Sequence, residues 1–115
     1  MAINRDLLPD ASDCGYRLSE EGSTLFITMD KRFDSLHRVD RWAQRLVNAA
    51  PPPYDEVRID LSGFTLISST IIAGLVYLYD RYANDGAGRI VLVNATERVK
   101  HCLQMTRLDN FFTFA

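Results

Sequence analysis

Short segments in which apolar and polar positions alternate predict strands in the first half of the chain. Residues 16–19 alternate in this way, and residues 24–29 are rich in β-branched and aromatic side chains. Such segments are typical of strands, and a short glycine-containing connection between two of them is typical of a hairpin. Residues 20–23, which include Gly22, form that connection. We therefore predict an antiparallel hairpin near the N-terminus.

Apolar residues recur at helical spacing after this hairpin. Positions 39, 42, 43, 46 and 47 share one face of a helix. We expect this helix to begin near Asp34 and Ser35 and to end before the prolines at 51–53, since proline cannot donate a helical hydrogen bond. Its only tryptophan, Trp42, lies on the apolar face, which predicts core packing.

Two further helices are predicted in the second half of the chain. Residues 69–83 are apolar around most of the helical circumference, which predicts a largely buried helix. Asn94 and Glu97 have the spacing of a capping box, with Asn94 as the N-cap of the last helix. We expect Met105 to help seal the apolar side of that helix.

Two strands alternate with these helices. Residues 56–61 alternate in polarity, and residues 89–93 form a continuous apolar run that is typical of a strand covered on both faces. Strands joined through helices usually pair in parallel. The fold class is therefore α/β: a small mixed sheet, with an N-terminal antiparallel hairpin and parallel βαβ strands, and helices packed on it. We expect residues 1–15 to lead into a single domain over residues 16–115, and the Phe-rich tail to form a short helix or strand that covers the sheet.

Composition narrows the function. The chain has 115 residues, of which 47% are hydrophobic, and its net charge is −2, so it has no strong positive field to attract nucleic acid. No apolar run is long enough to span a membrane, and the first residues lack the pattern of a secretory signal. Cys14 and Cys102 lie far apart and are expected to be reduced thiols. We expect a cytoplasmic protein.

The sequence offers little catalytic chemistry. It contains no glycine-rich phosphate cradle, and His37 and His101 stand alone, without a metal-ligand spacing. Ser69 is not part of a GxSxG nucleophile motif. We therefore expect no catalytic residues, no metal and no cofactor.

Three hydroxyl residues, Ser68, Ser69 and Thr70, are predicted to lie where the second helix begins. Serine and threonine are favoured at helix starts, so capping alone explains them. A helix N-terminus also offers free N–H groups and partial positive charge, which would hold a phosphoryl group. Because a capping hydroxyl can remain exposed, the structural and the functional interpretations both stay open.

The stretches DLSGFTLISST–IIAGLVYLYDRY and GRIVLVNATERVKHCLQMTRLDNFF resemble a STAS domain of the anti-sigma factor antagonist type. The resemblance covers roughly residues 16–115. It implies a non-catalytic domain that binds an anti-sigma serine kinase of the GHKL type, with a cognate phosphatase as a further partner. It also implies phosphorylation at Ser69, and less so at Ser68 or Thr70. Where the family has Asp-Ser-[Ser/Thr]-Gly, this chain has Ser68 at the aspartate position and Ile71 at the glycine position.

The expected partner-binding surface combines the hydroxyl cluster with neighbouring loops. Its members are Asp34, Ser35, Ser62, Gly63, Ser68, Ser69, Thr70 and Ile71, with Ile71 adding apolar surface at the helix tip. An alternative within the family is a constitutive adaptor of a lipid-transport ABC complex or a signalling scaffold. A small-molecule or nucleotide-binding module, or an enzyme, is the alternative outside it. A homodimer through the Trp42 helix or the Phe-rich tail stays open.

Overall fold

A five-stranded sheet forms the centre of the protein in a computed structural model, which describes residues 3–8, 15–33 and 41–115. The strands follow chain order across the sheet. The first pair is antiparallel, and each later pair of neighbours is parallel. The strands are β1 (Tyr16–Glu21), β2 (Thr24–Met29), β3 (Glu56–Asp60), β4 (Arg89–Val93) and β5 (Thr113–Phe114).

Three α-helices connect or follow these strands in the described part of the chain. They are α1 (Trp42–Ala49), α2 (Ser69–Leu78) and α3 (Glu97–Met105). A π-helical segment, Tyr79–Asp85, continues α2, and single 3₁₀ turns lie at Arg5–Leu7 and Asp109–Phe111. The mixed sheet with helices agrees with the predicted fold class.

The helices cover one face of the sheet because alternate strand residues are apolar. Leu25, Val57 and Ile90 lie side by side across β2, β3 and β4, and Ile27, Ile59 and Leu92 form the next row. All six are buried, and they join the buried side chains of all three helices in one cluster. The period of two along each strand thus places the core on a single side.

The opposite face of the sheet is largely polar. Glu56 on β3 accepts hydrogen bonds from Arg58 (2.9 Å) and from Arg89 on β4 (2.6 and 2.8 Å). Both arginines hold the pKa of the Glu56 carboxyl below its usual value. Val91 is also buried on this side, but Arg89 is exposed, so β4 is buried on both faces only at its centre and not along the whole predicted strand.

The outer edge of β1 is partly occupied by a side chain. The Arg5 guanidinium donates a hydrogen bond to the carbonyl of Leu18 in the middle of that strand (2.8 Å). The backbone N–H of Asn4 donates to the Ala49 carbonyl at the end of α1 (2.7 Å), which fixes the segment that carries Arg5. The first described residues therefore bridge the end of α1 and the edge of the sheet.

The predicted hairpin is confirmed, although its turn is shorter than predicted. Residues 20 and 21 belong to β1 and pair with Leu25 and Thr24 of β2. Only Gly22 and Ser23 form the turn, and Gly22 has the positive φ (+60°) that such turns require. The next helix begins later than predicted. Asp34 and Ser35 lie outside the described residues, but α1 starts at Trp42, because Arg41 before it has a left-handed backbone (φ 55°) that is not helical. That helix does end at Ala49, before the prolines.

The expectation that α2 is buried around most of its circumference is wrong. One stripe is buried, comprising Ile71, Gly74, Leu75 and Leu78, and continuing to Tyr82. Val76 is 38% exposed on the other side. No described element covers that side completely, so apolar composition alone overestimated the burial of this helix.

The predicted capping box of α3 is also wrong. The N-cap is Thr96, whose hydroxyl accepts a hydrogen bond from the N–H of Val99 (3.2 Å). Asn94 adopts a left-handed backbone conformation (φ 60°) and directs its side chain to Asp60 instead. Met105 is 72% exposed and does not seal the core, since Val99 and Leu103 are the buried residues of this helix.

The Phe-rich tail extends the sheet instead of covering it. Thr113 and Phe114 pair in parallel with Val91 and Leu92 of β4. The preceding Phe112 is buried, whereas Phe111 stacks on Tyr79 with ring centroids 4.8 Å apart. The tail therefore combines a helical turn and a short strand at the sheet edge.

Tyr82→Phe should destabilise the fold because it removes a buried hydrogen bond. The Tyr82 hydroxyl donates to the Ala50 carbonyl (2.6 Å), and burial raises the pKa of Tyr82, which keeps the donor protonated. Leaving the buried carbonyl unpaired should lower the free energy of unfolding by about 1–3 kcal/mol in urea denaturation. Tyr77→Phe, which alters a half-buried hydroxyl, is the matched control; equal losses in both variants would contradict the prediction.

Candidate functional site

The loops that follow the parallel strands meet at one edge of the sheet. In parallel sheets, the carboxyl ends of the strands all lie at the same edge, where binding sites commonly form. Here that edge carries the turn after β2, the connection from β3 to α2, and the residues between β4 and α3. Ser62 and Gly63 belong to the middle one of these three segments, and the hydroxyl cluster lies where that segment joins α2.

Asp60 fixes the start of the β3–α2 connection. Its Oδ1 atom accepts hydrogen bonds from the N–H of Ser62 (2.8 Å) and from the side chain of Asn94 (3.2 Å). Burial raises the pKa of Asp60, but these hydrogen bonds outweigh it and leave the pKa below its usual value. The carboxylate therefore stays ionised at neutral pH and ties the β3 loop to the residue that follows β4.

Further contacts fix the rest of this connection. The Thr96 hydroxyl donates to the Thr65 carbonyl (3.3 Å), so the N-cap of α3 also holds the loop before α2. Gly63 has a φ of +89°, and an added Cβ atom would lie 3.1 Å from the Cβ of Lys31 in the turn after β2. Ser62 and Gly63 are both exposed, next to that turn.

Ser68 caps α2. Its backbone is extended (φ −78°, ψ 166°), and its hydroxyl accepts a hydrogen bond from the N–H of Ile71 (3.3 Å). Its carbonyl accepts the first helical hydrogen bond, from Ile72 (3.0 Å). The capping interpretation is confirmed for this residue. Serine and aspartate are about equally favoured at an N-cap.

Ser69 and Thr70 occupy the first two positions inside α2, and both are exposed. Within the described part of the chain, neither hydroxyl makes a side-chain hydrogen bond. The N–H groups at the start of a helix have no intrahelical acceptor, and they carry the positive end of the helix dipole. The structure thus presents two unengaged hydroxyls where an anionic group is favoured.

Ile71 is completely buried, so the expectation that it adds apolar surface at the helix tip is wrong. It follows Thr70 by 100° around the helix, which turns its side chain from solvent into the core. A partner docked on this structure cannot touch it. Of the other expected surface residues, Asp34 and Ser35 lie outside the described residues.

A groove of about 480 Å³ lies on the surface where α1 meets the start of α2. Trp42 and Gly74 lie where the two helices approach each other, and the other lining residues are Arg41, Gln44, Ser69, Thr70, Ala73 and Tyr77. Arg41 is exposed and makes no side-chain hydrogen bond or ion pair with any described residue. The groove therefore places a guanidinium on the same surface as the two hydroxyls. Arg41 was not among the residues expected at this site, because its position there depends on how α1 packs against α2.

Other kinds of site find no support in the residues that the structure describes. Those residues contain no group of three or more His, Cys, Asp or Glu side chains placed to hold a metal ion. Over the same ranges, no helix is both long and apolar enough to cross a lipid bilayer.

The chain belongs to the STAS domain family, because the family model matches residues 17–115. A solved anti-sigma-factor antagonist (STAS) domain protein from Planctomyces limnophilus has a similar structure, with a TM-score of 0.70 and 24% identity over 87% of this chain and 89% of the other. No curated protein is significantly similar in sequence.

Two structures of SpoIIAA share the fold. The anti-sigma factor antagonist SpoIIAA in its unphosphorylated form is 16% identical, with a TM-score of 0.65 over 87% of each chain. The Bacillus cell fate determinant SpoIIAA in its phosphorylated form is 14% identical, with a TM-score of 0.56 over 87% of this chain and 90% of that one. These similarities establish the architecture of the present chain.

Ser68→Ala should destabilise the protein because it removes the N-cap of α2. Losing an N-cap side chain costs about 0.5–2 kcal/mol. Ser68→Asp is the matched control, since aspartate caps as well as serine and its charge suits the helix dipole. Urea denaturation should rank Ser68→Asp close to wild type and Ser68→Ala below both; an unchanged Ser68→Ala protein would contradict the capping role.

Asp60→Asn should make the free energy of unfolding less dependent on pH in the acid range. Because the folded-state pKa of Asp60 is lowered, its contribution is complete above the unfolded-state pKa of about 3.9 and is lost as the pH falls through the folded-state value. The variant should be less stable at pH 7 and lose less stability on acidification. Asn94→Ala, which removes one donor but keeps the carboxylate, should give an intermediate slope.

Denaturation midpoints measured from about pH 2 to about pH 7 test this expectation, because that range extends well below and well above the reference Asp pKa. A wild-type slope in the Asp60→Asn variant would show that other carboxylates account for the whole acid dependence.

Proposed function

We propose that this STAS domain is an anti-sigma factor antagonist that binds a GHKL-type anti-sigma kinase and is released when that kinase phosphorylates Ser69. A cognate phosphatase would restore binding. The observation that carries the proposal is the exposure of the Ser69 and Thr70 hydroxyls at the start of α2, while Ser68 alone is engaged in capping. The similarity to SpoIIAA, whose structure exists in unphosphorylated and phosphorylated forms, supports it.

The different contacts of the three hydroxyls favour Ser69 over Ser68 as the site of phosphorylation. Phosphorylating Ser68 would alter the oxygen that accepts the Ile71 N–H, whereas Ser69 carries no such bond. A phosphoryl group on Ser69 adds a charge of roughly −1.5 to −2 beside the free N–H groups of the first turn. Arg41, in the same groove, would supply a further favourable charge.

The same added charge explains how binding would end. An unphosphorylated surface of small hydroxyls and a half-buried Tyr77 can be desolvated by a partner at low cost. A phosphoryl group at its centre would have to lose its hydration and would repel acidic groups on the partner. Ser62, Gly63, Ser68, Ser69 and Thr70 form the proposed contact surface among the described residues, with Asp34 and Ser35 as further predicted members.

We infer that the domain acts in the cytoplasm by binding, without catalysis of its own. A constitutive adaptor role, in a lipid-transport ABC complex or a signalling scaffold, is the competing outcome. The two differ in one respect: an adaptor has no reason to lose its partner when charge is added at Ser69.

Ser69→Glu should weaken partner capture at least tenfold, whereas Ser69→Ala should retain it, because only the former introduces the negative charge that the partner must desolvate. The measurement is affinity capture from lysate of the native host, with mass analysis of residues 68–70 in the wild-type bait. A kinase-like ATPase held by wild type and Ser69→Ala, together with a phosphoryl group on Ser69, is the expected result.

Ser19→Glu is the matched control, since it adds the same charge at an exposed position on the sheet face opposite the helices. It should bind as wild type does. Equal capture by every bait, or a transporter ATPase as the partner, would overturn the switch and support the adaptor.

A further inference from the structure

Trp42 is the residue through which α1 contacts the start of α2. It is the only tryptophan in the chain, the first residue of α1, and only 4% exposed. Its indole N–H donates a hydrogen bond to the carbonyl of Thr70 (3.1 Å). That carbonyl belongs to the first turn of α2, between the two exposed hydroxyls and the body of the helix.

The indole also lies directly against α2 one turn further on. A Cβ atom added to Gly74 would overlap the Cζ2 and Nε1 atoms of Trp42. No side chain therefore fits at Gly74 while the ring holds this position. Thr70 and Gly74 are four residues apart, so the ring spans the first complete turn of the helix.

Aromatic side chains from the sheet hold the other side of the indole. The ring of Phe33, just after β2, meets it edge-on with centroids 5.4 Å apart, and that of Tyr16, at the start of β1, lies at 6.1 Å. Trp42 is thus confined between the end of the hairpin and α2. Its hydrogen bond can shift only if Phe33, Tyr16 or the first turn of α2 shifts as well.

We propose that Trp42 is a positioning residue for the Ser69 and Thr70 hydroxyls. By binding the Thr70 carbonyl it keeps the first turn of α2 closed, so that the hydroxyls are presented in one geometry to the partner. The functional part of this inference rests on the proposed role of Ser69. Coupling between two sites is reciprocal, so a group added at Ser69 must in turn alter the environment of the indole if the two are linked.

The test is amide hydrogen exchange, measured by NMR, in Trp42→Phe, Tyr82→Phe and wild type. Trp42→Phe keeps an aromatic ring but removes the donor to Thr70. Tyr82→Phe is the matched control, because it removes a bond of the same kind, from a buried aromatic donor to a backbone carbonyl, in the π-helical segment that continues α2. The amides to follow are those of Ile71 and Ile72 in the first turn.

Exchange at Ile71 and Ile72 should become about tenfold faster in Trp42→Phe, with little change at the β4 amides, since the first turn opens locally. Tyr82→Phe should leave the first turn at its wild-type rate. Uniform acceleration across the domain in Trp42→Phe, or the same local effect in Tyr82→Phe, would overturn the proposal and leave Trp42 as a packing residue only.

The wild-type indole provides a second readout that does not depend on a folded Trp42 variant. Its N–H resonance should shift in Ser69→Glu and stay unchanged in Ser19→Glu, and a resonance that ignores both substitutions would contradict the coupling. Neither NMR measurement needs a partner protein. If the Ser69→Glu protein captured the partner as well as wild type does, the proposed function would be overturned. The exchange rates would still decide the role of Trp42.

Discussion

Burial of a single face of the sheet is the constraint on which the remaining structure depends. Because β2, β3 and β4 run parallel and in register, the rows that begin at Leu25 and Ile27 form one apolar surface, which the helices cover. Covering it forces each connection to cross from one end of the sheet to the other. The polar segments after β2, β3 and β4 are thereby brought to the same edge, which is why Lys31 lies beside Gly63, and Asp60 bonds Asn94, despite their separation in sequence.

The candidate site combines a rigid support with a polar tip. One stripe of α2 packs in the core, and Ile71 anchors that stripe in the first turn, directly after the two exposed hydroxyls. The loop before the helix is held by side chains from the β4–α3 segment through Asp60 and Thr65. The Ser69 and Thr70 hydroxyls take no part in this support, so a small chemical change at either one acts on whatever docks there more than on the fold.

Much of the architecture could be predicted from the sequence, because strand alternation and helical periodicity are local signals. The hairpin, β3, β4 and the α/β class follow from them directly. The misassignments share one cause, since Asn94, Met105 and Ile71 each depend on tertiary contacts that a local pattern does not contain. Asn94 has an acceptor in Asp60 that outcompetes capping. The pairing of Trp42 with Gly74 had a faint signal, a glycine within an apolar helix, but its partner could not be identified without the packing of α1 on α2.

The hydrogen bond from the Arg5 guanidinium to the outer carbonyl of Leu18 affects whether other chains can associate with this edge of the sheet. An unpaired strand edge is a template on which another chain can add itself. In the middle of β1, the Arg5 side chain occupies the Leu18 carbonyl, and another strand would have to displace it before it could pair there. The short β5 leaves little edge for recruitment on the far side. The sheet therefore offers few free backbone groups for edge-to-edge association at either margin.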